Sequence, residues 1–487
     1  MQSSDWTKTW GGSSDDSANY VAVDSWGNLY VAGEFTGTVD FDPDPAKTDL
    51  HTSSAGSIDA YLSKFDSSGK FLWAKTWGGS KRDVSYGVGV DSSGNAYVVG
   101  PFRDTVDFNP DPAKTDIHVS NAINGTVYEN NVYLSKFAPD GTFQWVRTWG
   151  PTLVPGGYSF GAEGYTVAVQ GNYLYVAGDF SGDRTDFNPW GSHDWHQNHL
   201  PATGPIFFDA FLSKFDLNGN FQWAKTWGGE GYDDGPGVAV DGLGNVYVAG
   251  MYASQNINFD PAGGSDGLGH PAHDSGILVD VFLSKFDSSG NFKWVRTWGG
   301  QGTDDAMGTV VVDGSNGVYV AGRFTSINCD FNPDPAVTDK HSTSGSQDVF
   351  VSKFAADGTF QWAKTWGGSG DDLAMGLAVD VAGNAYTSGS FSNTVDFNPG
   401  SGADNHVSNG QHDAFISQFD TNGNFKWART WGGSSDDSSS VAVEGTTGNV
   451  YASGSFAGAV DFDPGSGLDN HTANGGSDAF LNKFLPK

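Results

Sequence analysis

Residues 280–300 read Asp280-Val-Phe-Leu-Ser-Lys-Phe-Asp-Ser-Ser-Gly-Asn-Phe-Lys-Trp-Val-Arg-Thr-Trp-Gly-Gly300. Aromatic and β-branched residues recur through Asp280–Phe286 and Phe292–Trp298, the composition of strands. Between them Asp287-Ser-Ser-Gly-Asn291 supplies residues that tolerate positive φ, so the chain turns back on itself. Upstream, Val238-Ala-Val240 and the alternating Val246-Tyr-Val-Ala-Gly250 flank a second such turn, Asp241-Gly-Leu-Gly-Asn245. A polar loop from Asn258 to Gly276 joins the two hairpins. The unit is therefore four antiparallel strands, and Gly and β-branched residues recur too often for helices.

This unit repeats. Thr-Trp-Gly places its Trp at positions 10, 77, 149, 227, 298, 366 and 431, spaced 65 to 78 residues apart. Six units carry another Trp four residues upstream, at Trp73, Trp145, Trp223, Trp294, Trp362 and Trp427; the seventh pair, Trp6 and Trp10, stands at the N-terminus. The last unit stops at Phe484-Leu-Pro-Lys487, where its own Trp-bearing strand is due. One such unit cannot bury its apolar face alone and needs neighbours. The pattern predicts an all-β, seven-bladed β-propeller over 1–487 as a single domain, its ring closed by the N-terminal strand joining the last blade. Blades end near Trp77, Trp149, Trp227, Trp298, Trp366 and Trp431, with Trp10 completing the seventh.

The totals exclude several functions. A net charge of −32 argues against nucleic acid and anionic membrane surfaces. Cys329 is the single cysteine, so an intrachain disulfide is ruled out. No apolar run is long enough to span a bilayer, which argues against direct membrane insertion. Met1-Gln-Ser-Ser4 carries no signal-peptide pattern and reads as an added start or a mature N-terminus.

Val21-Ala-Val-Asp-Ser-Trp-Gly-Asn-Leu-Tyr-Val-Ala-Gly33 and Ser346-Gln-Asp-Val-Phe-Val-Ser-Lys-Phe354 resemble the bacterial SBBP-type β-propeller repeat. The resemblance covers essentially the whole chain. It implies a propeller of the secreted or surface-exposed kind and no catalytic residues. Asp-Phe-Asp/Asn-Pro and Thr-Trp-Gly-Gly depart from the simpler residues usual there. Runs such as Asp66-Ser-Ser-Gly-Lys-Phe-Leu-Trp73 also resemble Trp-docking quinoproteins, but the Thr before Gly and a neighbouring Cys pair are missing. The repeated Trp residues are expected to pack between blades.

Strand order in a propeller sends the loops between blades, and the loops joining strands two and three, to one face. Acids follow Thr-Trp-Gly-Gly at Asp15/Asp16, Asp83, Asp233/Asp234, Asp304/Asp305, Asp371/Asp372 and Asp436/Asp437, with Glu163 in blade 3, and should ring the channel mouth. The second-to-third loops add Asp40-Phe-Asp42-Pro-Asp44, Asp107-Phe-Asn109-Pro-Asp111 and Asp330-Phe-Asn332-Pro-Asp334. Oxygen ligands at alternate positions suit Ca²⁺; equally, each Asp or Asn caps a turn through local amides. One His per blade recurs in these loops: His51, His118, His199, His341, His406 and His471, with His270 or His273 in blade 4. A feature common to every blade is expected to serve folding.

A specific site is expected where one blade departs from the others, and blade 3 departs most. Tyr158 and Phe160 sit in its first loop, and Trp190, His193, Asp194, Trp195 and His196 in its second-to-third loop. Aromatic rings beside carboxylates and amides are the chemistry of sugar binding; the His cluster would alternatively suit a transition metal, and the plain alternative is a packed insert. No nucleophile elbow, Walker loop, dinucleotide fingerprint or zinc-protease helix occurs. The expected function is a non-catalytic extracellular or cell-surface module of a secreted bacterial protein, with an acidic loop face that binds glycan or protein. The alternatives are a carbohydrate-active hydrolase or lyase using carboxylates near the channel mouth, and a self-assembling surface subunit.

Overall fold

The computed structural model describes residues 5–123, 127–152, 161–182, 184–199, 207–254, 257–264, 278–445, 447–465 and 467–486. It is a seven-bladed β-propeller. Blade 4 shows the common plan: Asp233–Val240, Val246–Tyr252, Asp280–Phe286 and Phe292–Trp298 pair antiparallel in chain order. The seventh blade takes three strands from the C-terminal end and its outermost, Trp6–Trp10, from the N-terminal end. Trp6 pairs with Lys483 and Trp10 with Ala479, so head and tail share one sheet as the repeat pattern predicts.

Each blade buries its faces against its neighbours, giving seven apolar cores that all mix residues of adjacent blades. The second Trp of each pair is the wedge. Trp77 of blade 1 lies 5.3 Å from Phe137 in the third strand of blade 2. Trp366 meets Phe419 at 5.0 Å, and Trp10 closes the ring against Phe65 at 5.3 Å. The upstream Trp covers the next blade's turn glycine: a Cβ on Gly141 would stand 3.0 Å from the Trp73 ring. The Trp residues therefore hold blade to blade.

The innermost strands of successive blades touch around the whole ring and enclose a channel cavity of about 440 Å³. Tyr20, Tyr86, Tyr165, Met307, Met375 and Val441 are among its lining residues.

Candidate functional site at the channel mouth and the blade 3 rim

The second-to-third loops are clasps. In blade 1, Thr38–Asp40 and Leu50–Thr52 form a small hairpin, with Phe41 fully buried against Phe35 and Tyr61. Asp40 Oδ1 accepts the amides of Asp42 (3.2 Å) and Asp49 (2.7 Å), Asp42 Oδ1 that of Asp44 (3.0 Å), and Asp44 Oδ1 that of Ala46 (3.1 Å). The Asp107, Asn109 and Asp111 series and the Asp330, Asn332 and Asp334 series repeat this ladder of Asx turns. Among the described residues no three His, Cys, Asp or Glu side chains converge on a metal-sized point.

The recurrent His locks the clasp to its blade. His51 Nδ1 bonds Thr76 Oγ1 at 2.9 Å, its ring edge packs on Phe41 at 5.3 Å, and Nε2 faces Asp49 at 3.4 Å. His118, His341, His406 and His471 repeat the bond, each to the Thr of its own blade's Thr-Trp. In blade 3 the residue at this position is His196, bonded to Thr226 at 2.8 Å and facing Asp194, which corrects the assignment of His199. His199 instead bonds Asp209 at 2.7 Å, the place that the Ser54 amide takes beside Asp59 in blade 1. His270 and His273 lie outside the described residues.

Of the remaining blade 3 candidates, Trp190 and Trp195 are exposed on the rim. The Arg184 guanidinium lies 3.8 Å above the Trp195 ring, and His193 stacks beside the same ring at 5.6 Å. Arg147 lies 5.7 Å above Trp190. His193 Nδ1 contacts Asp186 at 2.5 Å. Thr185–Asp186 pairs with Gly150 and Pro151, so this rim hairpin extends the outer edge of blade 2 rather than standing over the channel. Tyr158 and Phe160 lie outside the described residues.

In six blades one of the acids expected to ring the channel mouth is buried. Asp16, Asp83, Asp233, Asp304, Asp372 and Asp437 are all buried to 1% exposure or less. Each spans two segments: Asp83 takes the amide of Gly79 at 2.7 Å and that of Arg103 at 2.9 Å. Burial, set against those amide bonds and helped by nearby Asp59 and Asp104, pushes Asp83 up to about 7. The same balance puts Asp372 and Asp437 at about 7. These acids are folding latches.

The second acid of each pair breaks the symmetry. It precedes the latch in blades 1, 6 and 7 (Asp15, Asp371, Asp436) but follows it in blades 4 and 5 (Asp234, Asp305). Glu163 follows Ala162, which occupies the latch position in blade 3, since Ala162 pairs with Phe180 as Asp233 pairs with Tyr252. Glu163, Asp234 and Asp305 thus occupy one place on three adjacent inner strands. Glu163 pairs across its blade with Asp179. Asp179 and Asp234 are 1% and 5% exposed. Burial first, then the charges of Asp234 and Glu163, pushes Asp179 well above the usual carboxylate range, and burial with Asp305 and Glu163 does the same to Asp234. Tyr165 bonds Asp179 at 3.4 Å, and Glu163 bonds Asn130. Arg323 stands 3.6 Å from Asp305. The sequence signal was the place of the second acid, five residues after the Trp of Thr-Trp-Gly-Gly in blades 1, 6 and 7 but seven after it in blades 4 and 5, which becomes meaningful once strand register is known.

Residues 222–251 match the SBBP beta-propeller repeat, from the fourth strand of blade 3 into the second strand of blade 4. Two curated relatives extend the comparison. An uncharacterized WD repeat-containing protein of Acanthamoeba polyphaga mimivirus is 21% identical over 434 residues, 77% of this chain and 30% of that protein. The regulatory protein FlaEY of Caulobacter vibrioides is 32% identical over 154 residues, 31% of this chain and 15% of that protein. The chain thus spans less than a third of either relative. Among solved structures, a Synechocystis apocarotenoid oxygenase covers 86% of this chain and 91% of its own at 9% identity, with a TM-score of 0.29. The exotype rhamnogalacturonan lyase YesX covers 98% and 91% at 12% identity, with a TM-score of 0.24. Neither likeness is close enough to carry an argument about activity. The chain is a seven-bladed β-propeller repeat protein that carries an SBBP-type repeat.

Proposed function

We propose that this protein is a non-catalytic binding or scaffold module of the bacterial cell exterior that holds a protein ligand on its loop face. The observation that carries the reading is the blade 3 rim, where Trp190 and Trp195 stand exposed beside Arg147 and Arg184. Trp and Arg are enriched among the residues that dominate protein interfaces, Trp because its rigid ring covers a large area while losing little freedom and Arg because its planar guanidinium stacks on rings and donates several hydrogen bonds. The likeness to a WD repeat-containing protein supports a scaffold role. A glycan ligand is the second reading, favoured by Trp190, which is 46% exposed, since an exposed indole can stack on a sugar face.

Capture of surface proteins by the wild type and by a Trp190→Ala/Trp195→Ala variant, run beside a glycan array and a reducing-sugar assay, tests the proposal. The expected result is a protein ligand bound roughly tenfold or more weakly by the variant at unchanged melting temperature. Glycan binding without a protein ligand would favour the second reading. Sugar turnover would replace both with a hydrolase or lyase acting through buried carboxyls such as Asp179. Calcium in the Asp40, Asp107 and Asp330 loops is a separate proposal. There Ca²⁺ would have to share carboxylates already bound to amides, and a chelator that leaves the melting temperature unchanged removes it.

A further inference from the structure

The third residue after the latch position lines the channel cavity in every blade. It is Tyr86, Tyr165, Pro236, Met307 and Met375 in blades 2 to 6, and Ser440 and Asn19 in blades 7 and 1. In blades 1, 3, 4, 5 and 6 the inner strand slips its register against the second strand across this residue. Such a bulge leaves a residue outside the ladder and re-aims its side chain. Met307 accepts a φ of 45° there, in the left-handed region that favours glycine. The clasp His and the latch Asp recur from blade to blade and serve folding, whereas this place keeps its position and changes its chemistry.

That chemistry is divided by side. Blades 2 and 3 contribute Tyr86 and Tyr165, whose rings stack at 5.4 Å. Their hydroxyls are already engaged, Tyr86 with Arg82 at 3.2 Å and Tyr165 with Asp179 at 3.4 Å, which leaves ring carbon for the channel. Met375, 38% exposed, and Met307 continue the apolar wall, each with a thioether that packs well on aromatic rings. Asn19 and Ser440 stand on neighbouring blades, so hydrogen-bonding groups gather on one side, where Ser17 bonds Asn19 at 2.8 Å. Although the chain carries 57 acidic residues, none of the described residues lining the cavity is charged.

The volume of about 440 Å³ falls within the roughly 300–1,000 Å³ of small-molecule sites. An ion would lose its water here without gaining a partner of opposite charge. A sugar would leave hydroxyls unpaired against the tyrosine and methionine side. We propose that the channel is a binding site for a small uncharged aryl compound with one hydrogen-bonding edge. Its rings are held among Tyr86, Tyr165, Met307 and Met375, and its polar edge turns to Asn19 and Ser440. The site is independent of the rim reading above and survives its failure.

Titration calorimetry of the whole chain at neutral pH compares 2-naphthol, which is uncharged there, with 2-naphthoate and 2-naphthylmethylammonium, which are charged. The expected result is saturable binding of 2-naphthol, with both charged analogues bound roughly tenfold or more weakly. Met375→Glu, which sets a charge in the apolar wall, is expected to weaken 2-naphthol by the same factor, and Met375→Leu to keep its affinity within about threefold. Ser440→Ala is expected to weaken it about three- to tenfold through loss of one hydrogen bond. Val381→Glu, on an exposed hairpin turn of the same blade as Met375, is expected to leave it unchanged. Absence of saturable binding overturns the proposal. So does a charged analogue that binds as tightly as 2-naphthol, or an equal loss in Val381→Glu, which would put the ligand on the outer surface. Unchanged affinity in folded Met375→Glu or in Ser440→Ala overturns the assignment to these residues. Should Met375→Glu unfold, the three probes on the wild type and the Ser440→Ala variant decide.

Discussion

At the residue scale, a recurring carboxylate, replaced by the Asn131 amide in blade 2, explains why the first Gly after each Trp cannot vary. A Cβ built on Gly78 would stand 2.3 Å from the Asp59 carboxyl carbon, and Gly228, Gly299, Gly367 and Gly432 meet Asp209, Asp280, Asp348 and Asp413 in the same way. Asp59 cannot retreat, because it holds the Ser54 amide at 2.8 Å. Gly78→Ala is expected to cost about 1–3 kcal/mol through overpacking. Gly242→Ala, where nothing lies within 4 Å of the new Cβ and φ is not positive, is expected to be neutral or stabilising by up to about 1 kcal/mol. Urea midpoints of the two variants check both numbers. The periodic His was readable as a folding residue because every blade has one. Its assignment to His199 failed because blade 3 carries three His within seven residues, and spacing alone cannot say which of them faces Thr226.

At the element scale, the edge of each blade is protected twice. The Trp wedge covers its flank, and the clasp of the following blade pairs with its last residue: Gly78 bridges Asp107, Gly299 bridges Asp330 and Gly432 bridges Asp461. An edge strand left bare would invite pairing with another chain. The N-terminal strand does this work where the ring closes, with Trp10 3% exposed against Tyr61 and Phe65. Trp10→Ala should therefore cost about 3–5 kcal/mol, as a large buried ring does, although it lies only ten residues from the chain start. A cost under about 1 kcal/mol in equilibrium unfolding would mean the closure contributes little. Both hairpins of the unit were legible from turn residues and strand composition. The clasp was not, because its pairs are two or three residues long and its order comes from Phe41, His51 and Thr76 meeting in space.

At the scale of the whole molecule, the buried latches make stability depend on pH. Asp83, Asp372 and Asp437 titrate near 7 and Asp16 near 6 in the fold, against 3.8 for an ordinary aspartate. The folded state thus binds protons more tightly than the unfolded chain between those values. The stability this brings is fully present below pH 3.8 and is lost as pH rises through 6 and 7. Asp287 and Asp420 act oppositely. Despite a burial cost, hydrogen bonds from Lys293 and Asn291, and from Lys426 and Asn424, hold them well below the usual range, so their contribution fades as pH falls below 3.8. Melting temperature is expected to peak in mild acid and to decline toward pH 8. A rise across that interval would show that the latch carboxylates are ionised throughout.

The sequence alone determined the ring: a strand pattern repeated seven times, with a Trp pair displaced to the N-terminus, leaves closure as the way to bury every blade face. Local periodicity reports local structure, and a repeated unit multiplies the signal. The tertiary structure alone decided what the acids do. Asp233 and Asp234 are neighbours in sequence, yet one is bound by amides of two segments and the other is buried in the field of carboxyls from adjacent blades. Which of two adjacent carboxyls meets an amide and which meets another charge depends on strand register and on contacts between blades, and those distances are set only when the sheets come together.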